Sequence, residues 1–491
     1  MQDVNDLGLM VDSRIPIVAL ESFDEQRALE MLTRVAISRQ LPLFCWSVTA
    51  GLKRLGFGSE VRGDDTDSPE AALLQIKENP DPAIYVLCDF HPYLTDPKVV
   101  RHVKDIALAY GKAHHTLVLL SHGISVPPEL MRLSATMRLA LPSDEQLQAI
   151  VREEAKAWGD QNRGLRVRTD SATLNKLVAN LRGVSFADAR RLIRGAIRDD
   201  GAITDNDLPV LSRAKFDLLD MQGVLSFEYD TASFASVGGL HHLKRWLEER
   251  RDSFLKPDGK IDTPKGLLLL GVQGGGKSLA ARAVAGLWGL PLLRLDMGAL
   301  YNKFIGETEK NLREALQLAD SMAPCVLWMD EIEKSLAGGN NDEGTSRRIM
   351  GTLLTWMAER KSRVFIVATA NAVHELPPEL LRKGRLDEIF FVDLPDVATR
   401  EVIFRIHLEK RHHTPDGFDL AQLAALSDGF SGAEIEQSVV AAMYTAAARN
   451  ESLATDHLLG ELAQTSPLSV VMAEKVAALR AWAKERTVNA G

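Results

Sequence analysis

Cysteine is scarce in this chain of 491 residues, which contains three, Cys45, Cys88 and Cys325. Each cysteine lies in an apolar, strand-like run, and no two of them have the spacing of metal ligands. A small secreted domain held together by disulfides is therefore excluded, because such a domain needs cysteines in pairs. We expect buried thiols in a reducing compartment.

The chain also lacks long apolar runs and an excess of positive charge. No run approaches the length of a membrane-spanning helix, and the acidic segment Met1–Asp6 lacks the basic-then-apolar layout of a signal peptide. The 58 basic and 67 acidic residues give a net charge of −9, which argues against broad binding to nucleic acid or to an anionic membrane. The sequence predicts a protein of the cytoplasm, or of an organelle stroma, with about two to four domains and no membrane insertion, and it disfavours a nucleic-acid partner.

What the chain does contain is a glycine-rich turn between an apolar strand and an alanine-rich helix. Gly271, Gly276, Lys277 and Ser278 stand in the register G-x-x-x-x-G-K-[ST]. Glycines let backbone N–H groups converge on phosphate oxygens, and the positive end of the helix points at the same place. Lys277 can reach the β- and γ-phosphates, and the Ser278 hydroxyl can bind Mg²⁺. The alternative is a glycine-rich surface turn beside a chance Lys-Ser pair.

Two further apolar strands end in polar side chains. Val326–Met329 runs into Asp330 and Glu331, and Val364–Ala370 runs into Asn371. We assign Asp330 to Mg²⁺, Glu331 to activation of the attacking water, and Asn371 to holding that water or touching the γ-phosphate. The alternatives are a solvated acidic pair and an asparagine that caps the next loop.

Arg382 and Arg385 follow a few residues later, too far along the chain to reach their own phosphates easily. They suit the site of a neighbouring subunit. An arginine supplied in this way stabilises the charge on the transferred phosphoryl group and raises the rate by about 10³–10⁵-fold. The alternative is an arginine pair on the surface.

The two halves of the chain look like repeats. Four short matches occur in the same order, namely 41–44 with 290–293, 126–132 with 376–382, 141–142 with 394–395, and 183–189 with 429–435. The copies differ where chemistry is needed. Ala28 and Leu29 stand where the second half has its Lys-Ser pair, and Phe90 replaces the second acid. The first copy is therefore predicted to be inactive and kept for docking or assembly.

Each half alternates strands with helices and then becomes helical. This pattern predicts an α/β fold with two tandem modules, each a parallel-sheet core of P-loop type followed by a helical lid, the first degenerate. Five domains are predicted. They are a first α/β module (1–142), its helical lid (143–201), a linker with one short helix (202–232), the active α/β domain (233–395), and a helical lid with C-terminal helices (396–491).

Residues from about 234 to 445 resemble an AAA-type ATPase. The resemblance rests on seven features. They are the segment that flanks the adenine (234–240), Walker A (271–278), the first pore loop (301–307), Walker B (326–331), sensor 1 (Asn371), the paired finger arginines (Arg382 and Arg385), and a lid motif with alanine at the sensor-2 position (431–434). It implies a nucleotide site formed by Val237, Gly238, Gly271, Gly274, Gly275, Gly276, Lys277, Ser278, Leu279 and Ala433.

The whole chain is similar to a branch of that family shared by bacteria and plastid genomes, first named as a hypothetical chloroplast reading frame. That branch pairs a degenerate N-terminal AAA-like module with one active module. The leading hypothesis is an ATPase that uses ATP and Mg²⁺, works in a homo-oligomeric ring, a hexamer, and remodels a protein partner. Phe304 would grip the substrate polypeptide; otherwise it packs into the core before the next helix.

Two other functions stay open. One is a nucleotide-gated scaffold or regulator with slow ATP turnover, and the other is a nucleic-acid clamp or helicase, which the acidic charge disfavours. The histidines, His91 and His122 among them, show no ligand spacing of a known metal motif. The sequence therefore predicts no metal beyond Mg²⁺.

Overall fold

The computed structural model describes residues 2–56, 66–198, 200–219, 224–228, 237–256, 259–297, 307–333, 343–382 and 384–491. The chain divides into two compact units, one of Met1–Glu153 with Gly183–Arg191 and one of Glu154–Arg182 with Leu192–Gly491. Each unit contains one sheet. Within the described ranges, no helix is both long and apolar enough to cross a membrane.

The first sheet consists of β1 (Ile17–Glu21), β2 (Leu43–Ser47), β3 (Gly51–Leu55), β4 (Ala83–Cys88), β5 (His115–Ser121) and β6 (Ser134–Arg138). Its order is β3-β2-β4-β5-β1-β6, with only the edge strand β3 antiparallel to its neighbour. The α-helices of this half are Gln2–Asp12, Glu25–Ser38, Pro69–Glu78, Pro97–Leu108, Tyr110–Ala113, Asp144–Gln161, Ser171–Leu181, Phe186–Arg198 and Asp207–Leu219, and short 3₁₀ turns lie at His91–Thr95 and Met131–Leu133.

The second sheet consists of β7 (Leu225–Glu228), β8 (Gly266–Gly271), β9 (Leu292–Leu295), β10 (Cys325–Met329), β11 (Val364–Ala370), β12 (Glu388–Val392) and β13 (Val488–Asn489). Its order is β13-β12-β8-β11-β10-β9-β7, with the edge strand β7 antiparallel to β9. The helices of this half are His241–Leu255, Lys277–Trp288, Glu307–Ser321, Glu343–Glu359, Val397–Glu409, Leu420–Leu426, Gly432–Ala448, Thr455–Gln464, Leu468–Val471 and Ala473–Ala483, with 3₁₀ turns at Val373–Glu375 and Pro415–Gly417.

The five parallel strands of the first sheet have counterparts in the same order in the second, which adds β13 beyond β12. In each sheet, the first parallel strand, β1 or β8, lies between two later strands, β5 and β6 or β11 and β12. The next strands outward are β4 and β2 in one sheet and β10 and β9 in the other, and each series ends in an antiparallel edge strand. This common strand order confirms the predicted fold class of two tandem α/β modules.

The leucine run before the glycine-rich turn forms β8, the strand between β11 and β12. Leu267 and Leu269 point into one core of the second unit, and Leu268 and Leu270 point into the other. A central parallel strand is covered on both faces, so it reads as a continuous apolar run without polar alternation. The strand therefore holds the following turn at the carboxyl edge of the sheet.

In the first unit, a carboxylate occupies the corresponding turn. Asp24 accepts a hydrogen bond from the backbone N–H of Arg27 at 3.2 Å and caps the helix that follows β1. The N–H groups at a helix start attract anions, and here the chain supplies its own. This turn contains no glycine, in agreement with a module that has lost the phosphate loop.

The segment predicted as a linker contains regular structure in its described part. A helix spans Asp207–Leu219 where one was expected, and β7 adds an edge strand that the sequence did not predict. The buried Lys215 of this helix donates to the carbonyl oxygens of Asn180 at 2.8 Å, of Arg182 and of Ser321. The first two bonds attach the helix to the end of the helix Ser171–Leu181, and the third attaches it to the end of the helix Glu307–Ser321. The five predicted domain boundaries remain a prediction.

Candidate nucleotide site

The glycine-rich turn connects β8, which ends at Gly271, to the helix that begins at Lys277. Gly274 and Gly276 have φ angles of +77° and +94°, which side chains other than glycine rarely adopt. A Cβ at Gly274 would lie 2.7 Å from Ser431 Oγ, and one at Gly271 would overlap the Val392 carbonyl. The glycines are therefore required both by the turn and by the close approach of other chain segments.

Lys277 is 7% exposed and lies inside this turn. Its Nζ donates to the carbonyl oxygens of Gly271 at 2.9 Å and Val272 at 2.8 Å. Burial lowers the pKa of Lys277 to about 8, while the carboxylates of Glu333, Asp330 and Glu331 oppose the shift. The ammonium thus points into the loop, where a phosphate can replace carbonyl oxygens as its partner.

A chain of hydrogen bonds joins the ends of three neighbouring elements at the sheet edge. Ser278 Oγ lies 3.3 Å from Asp330 Oδ1, and the Thr369 hydroxyl donates to the same oxygen at 2.6 Å. Thr369 Oγ1 also accepts from the backbone N–H of Glu331 at 3.0 Å. Asn371 Nδ2 donates to Glu331 Oε1 at 3.0 Å. Two acids, a hydroxyl and an amide predicted from separate motifs are therefore in mutual contact.

Glu331 adopts a left-handed backbone conformation with φ of +47°. Residues other than glycine adopt this region infrequently, and such strain is retained where surrounding contacts fix it, often at functional sites. The contacts here are the bonds from Glu331 N to Thr369 and from Ile332 N to the Thr369 carbonyl at 3.1 Å. The strand thus turns sharply after Asp330 and directs the second carboxylate toward Asn371.

Glu333 is a further acid of this site that the sequence analysis missed. It is 2% exposed, and its Oε1 accepts from the backbone N–H of Asn371 at 2.8 Å. Its Oε2 has no hydrogen-bond partner among the described residues. Burial raises the pKa of the Glu333 carboxyl, and the bond from Asn371 opposes that rise. Glu333 therefore fixes the backbone that carries the Asn371 amide.

Thr369 and Arg294 were also missed. Arg294 Nη2 lies 3.7 Å from Asp330 Oδ2, and its guanidinium lies over the Trp328 ring at 4.9 Å. Thr369 could have been found, because it lies in β11 two residues before Asn371, and residues two apart along an extended chain share a face. Arg294 carries no such signal, since only the pairing of β9 with β10 brings it near the acid.

A cavity of about 720 Å³ lies over this edge. Nine of the ten predicted nucleotide-binding residues line it, together with Asp330, Glu331 and Asn371; the nine are Val237, Gly238, Gly274, Gly275, Gly276, Lys277, Ser278, Leu279 and Ala433. Gly271 does not line it and lies below, at the end of β8. Phe304, the predicted pore-loop residue, lies outside the described residues.

The helical lid closes one side of the cavity. Its helix Gly432–Ala448 starts with a capping box in which Ser431 and Glu434 bond reciprocally. The Ala433 N–H donates to the Gly274 carbonyl at 3.3 Å, so the start of the lid lies directly on the glycine-rich turn. Gly238 also lies against the lid, where a Cβ would meet Ile403 of the helix Val397–Glu409 at 2.8 Å. The two predicted ends of the nucleotide site thus face one cavity.

Arg382 and Arg385 do not line that cavity. Arg382 is exposed, and Arg385 is half-buried with its Nη1 bonded to the Glu379 carbonyl. Nearby, Lys265 Nζ donates to the Gly384 carbonyl at 2.8 Å, which ties this loop to the start of β8. The structure thus separates the arginine pair from the phosphate-binding turn of the same chain.

A glycine-rich turn between a central parallel strand and a helix, with acids on the neighbouring strand, defines a nucleotide-binding protein of the P-loop class. Three family models match the chain. They are the SpoVK-like AAA ATPase N-terminal domain at residues 3–139, the SpoVK-like second domain at 145–222, and the AAA ATPase family associated with various cellular activities at 267–394.

Relatives match the chain over most of its length. Uncharacterized AAA domain-containing proteins ycf46 from Guillardia theta and Pyropia yezoensis are each 35% identical over 98% of this chain and over 95% and 98% of their own lengths. A proteasome-activating nucleotidase from Aeropyrum pernix is 35% identical over 59% of this chain and 72% of its own length. The chain belongs to the AAA ATPase family and is an ATP-hydrolysing enzyme, which confirms the predicted family and enzyme class.

Proposed function

We propose that the second unit hydrolyses ATP with Mg²⁺ inside a homo-oligomeric ring, a hexamer, and that the cycle remodels a protein partner. The observation that carries the proposal is the contact network of Ser278, Asp330, Glu331 and Asn371 beside Lys277, on one wall of a cavity of about 720 Å³. A nucleotide-sized cavity with convergent polar groups suits such a ligand.

The residues fit Mg²⁺. Ser278 Oγ and Asp330 Oδ1 lie 3.3 Å apart, and both are oxygen atoms that can act as metal ligands. Proteins bind Mg²⁺ through one or two such oxygens together with substrate phosphates. When bound, the ion supplies positive charge to the β- and γ-phosphates. Ser278 and Asp330 would hold it, and Thr369 orients Asp330.

The chain's own groups divide the remaining work. Lys277 exchanges its loop carbonyls for phosphate oxygens, and the glycine N–H groups of the turn bind the same phosphates. Glu331 accepts the proton of the attacking water, and Asn371 holds the Glu331 carboxylate in place over 3.0 Å. Ala433 and Gly238 bound the nucleotide on its lid and adenine sides. These roles agree with phosphoryl transfer by positioning and charge.

The ring is proposed because Arg382 and Arg385 lie away from their own phosphate turn and can complete a neighbour's site. The protein partner is supported by likeness to a proteasome-activating nucleotidase, whose name associates a nucleotidase with the proteasome. Phe304 is the proposed contact to the partner polypeptide. The first unit, with Asp24 in place of a phosphate loop, is proposed for docking or assembly.

The test of the chemistry is the ATPase rate of wild type and of Glu331→Gln against protein concentration, with masses measured with and without ATP. We expect Glu331→Gln to bind ATP with turnover reduced at least about 100-fold, and the wild-type rate to rise cooperatively as an ATP-dependent multimer forms. Undiminished turnover in Glu331→Gln would reject its role. A constant rate from a persistent monomer would favour the nucleotide-gated regulator.

Mixing variants tests action between subunits. Arg382→Ala keeps an intact phosphate turn, and Lys277→Ala keeps intact arginines, so each variant is inactive alone. Where the two variants meet, the phosphate turn of the first and the arginines of the second form one complete site. We expect mixtures to regain part of the wild-type rate, with Arg405→Ala, an exposed arginine of the lid, as the control that stays active. No gain at any mixing ratio would contradict action in trans.

A further inference from the structure

A second group of ligand-type side chains lies at the carboxyl edge of the first sheet. Asp89 and His91 follow β4, and His122 follows the neighbouring strand β5. One ligand atom from each of the three lies within 4.8 Å of those of the other two. The sequence hid this group, because His122 is 31 positions from His91 and only strand pairing joins them.

The donor atoms surround the hydroxyl of Ser121, the last residue of β5. Ser121 Oγ lies 2.8 Å from His91 Nδ1, 3.3 Å from Asp89 Oδ1 and 3.4 Å from His122 Nδ1. Ligands bound to Zn²⁺ at 2.0–2.1 Å in a tetrahedron lie about 3.4 Å from one another. The three ligand atoms, all within 4.8 Å of one another, are near this spacing, and rotation of their side chains would bring them around one ion.

Surrounding structure fixes the backbone that carries these side chains and lets solvent reach them. Asp89 has a left-handed backbone with φ of +49°, and His91 begins the 3₁₀ turn His91–Thr95. The His91 and His122 rings meet edge to face with their centroids 5.1 Å apart. Ser121 is buried, whereas Asp89 and His122 are exposed, so an ion can reach the group from solvent.

The second unit has a related arrangement with different chemistry. There, Thr369 bonds Asp330 as Ser121 bonds Asp89, and the other ligand offered is the hydroxyl of Ser278. Oxygen donors of that kind suit the hard ion Mg²⁺. Two imidazoles with one carboxylate instead suit Zn²⁺ and its first-row neighbours, and three protein ligands leave a position for water.

We propose that Asp89, His91 and His122 bind one divalent cation of the zinc type, with solvent completing its coordination. The buried Ser121 hydroxyl holds the three metal-ligand side chains in position by hydrogen bonds. The ion joins the ends of β4 and β5 across the sheet edge of the first unit. This site is distinct from the proposed ATP site and requires no ATP hydrolysis.

The test uses the full chain, stripped with a chelator and then saturated with Mg²⁺ and ADP so that the ATP site is filled. Co²⁺ is titrated as the probe and followed by its visible absorption, and Zn²⁺ is then added to displace it. We expect one equivalent of Co²⁺ in wild type and at least a tenfold loss of affinity in His91→Gln and in His122→Gln. His114→Gln, an exposed histidine of the same unit, is the matched control and keeps wild-type binding.

Asp89→Asn provides a second variant, because asparagine also tolerates a left-handed backbone and keeps the shape of the side chain. We expect it to weaken Co²⁺ binding while the metal-free melting temperature stays at the wild-type value. Absence of a bound equivalent in wild type would overturn the proposal. Binding that stays unchanged in both histidine variants would overturn it equally.

Discussion

Thr369 Oγ1 lies 2.6 Å from Asp330 Oδ1 and donates its proton to that oxygen. The same hydroxyl accepts from the backbone N–H of Glu331, so one buried side chain fixes both acids of the sheet edge. Thr369 belongs to β11, whereas the two acids follow β10. The Thr369 hydroxyl therefore connects the end of one strand to the residues that follow the neighbouring strand. The orientation of the acids therefore depends on a residue of the neighbouring strand.

The first prediction concerns this hydroxyl. Thr369→Val keeps the shape of the side chain but removes one hydrogen-bond partner from Asp330 Oδ1 and one from the Glu331 N–H, both half-buried, at a cost of up to about 1–3 kcal/mol each. We expect the ATPase rate to fall at least about tenfold and the Mg²⁺ concentration needed for half-maximal rate to rise. Thr369→Ser restores the hydroxyl and is expected to stay near the wild-type rate. A valine variant with a wild-type rate and Mg²⁺ dependence would exclude this role.

The second prediction is a pH dependence of ATP binding. Burial lowers the pKa of Lys277 in the free protein to about 8, and a bound phosphate must raise it because it stabilises the ammonium. Binding therefore takes up a proton above pH 8, and the affinity for MgATP is expected to fall by up to about tenfold per pH unit there. Below pH 7 this lysine contributes no pH dependence.

Calorimetry in two buffers of different ionisation enthalpy measures the proton uptake of Lys277 directly. We expect close to one proton per ATP at pH 9 and none at pH 6.5 from this group. Lys310→Met, which changes an exposed lysine of the same unit, should leave that uptake intact. An affinity that is constant from pH 7 to pH 9 would contradict the lowered pKa of Lys277.

The third prediction concerns crowding at the glycine-rich turn, with Gly259, outside the turn, as a control for the general cost of alanine at a positive φ. Gly274 and Gly259 have φ angles of +77° and +75°, but a Cβ meets Ser431 at 2.7 Å in the first case and nothing within 4 Å in the second. Alanine strains both backbones by about 1–2 kcal/mol. Only Gly274→Ala is expected to displace the start of the lid and weaken ATP binding, by about tenfold or more. Equal affinities of the two variants would show that the contact with Ser431 is unimportant.

The fourth prediction concerns the buried Lys215. Lys215→Met removes the donor shared by the carbonyls of Asn180, Arg182 and Ser321, and each buried acceptor left unsatisfied costs about 1–3 kcal/mol. We expect a lower melting temperature of the second unit. Lys244→Met, on an exposed helix face, is the matched control and should melt like wild type. If both variants melt alike, these bonds contribute nothing to stability.

The parts of the site that the sequence predicted are those with strict chemical requirements. The turn around Lys277 was predicted as a phosphate-binding loop because its spacing, its glycines and its flanking strand and helix all match that motif. Asp330, Glu331 and Asn371 could be predicted because parallel strands end at one edge of a sheet. Their mutual contacts could not be predicted, since the sequence gives no distances between strands.

The remaining features depend on contacts between positions far apart in the chain. β7 was missed because its four residues become a strand only by pairing with β9. Glu333 was missed because its burial against the Asn371 backbone leaves no trace in composition. The group of Asp89, His91 and His122 was missed for the same reason, as no known metal motif has its spacing. In each case the residues come together because two strands are neighbours in a sheet, and the sequence pattern does not predict which strands are neighbours.

Asp24 gives the first unit a property that the second unit lacks. Its carboxylate is covalently part of the chain, so the positive helix end that it caps never becomes vacant and never has to be refilled. The phosphate turn of the second unit, by contrast, gains and loses its anion with every round of hydrolysis. The chain thus contains one helix start whose anion is built into the sequence and another whose anion is exchanged in each round of hydrolysis.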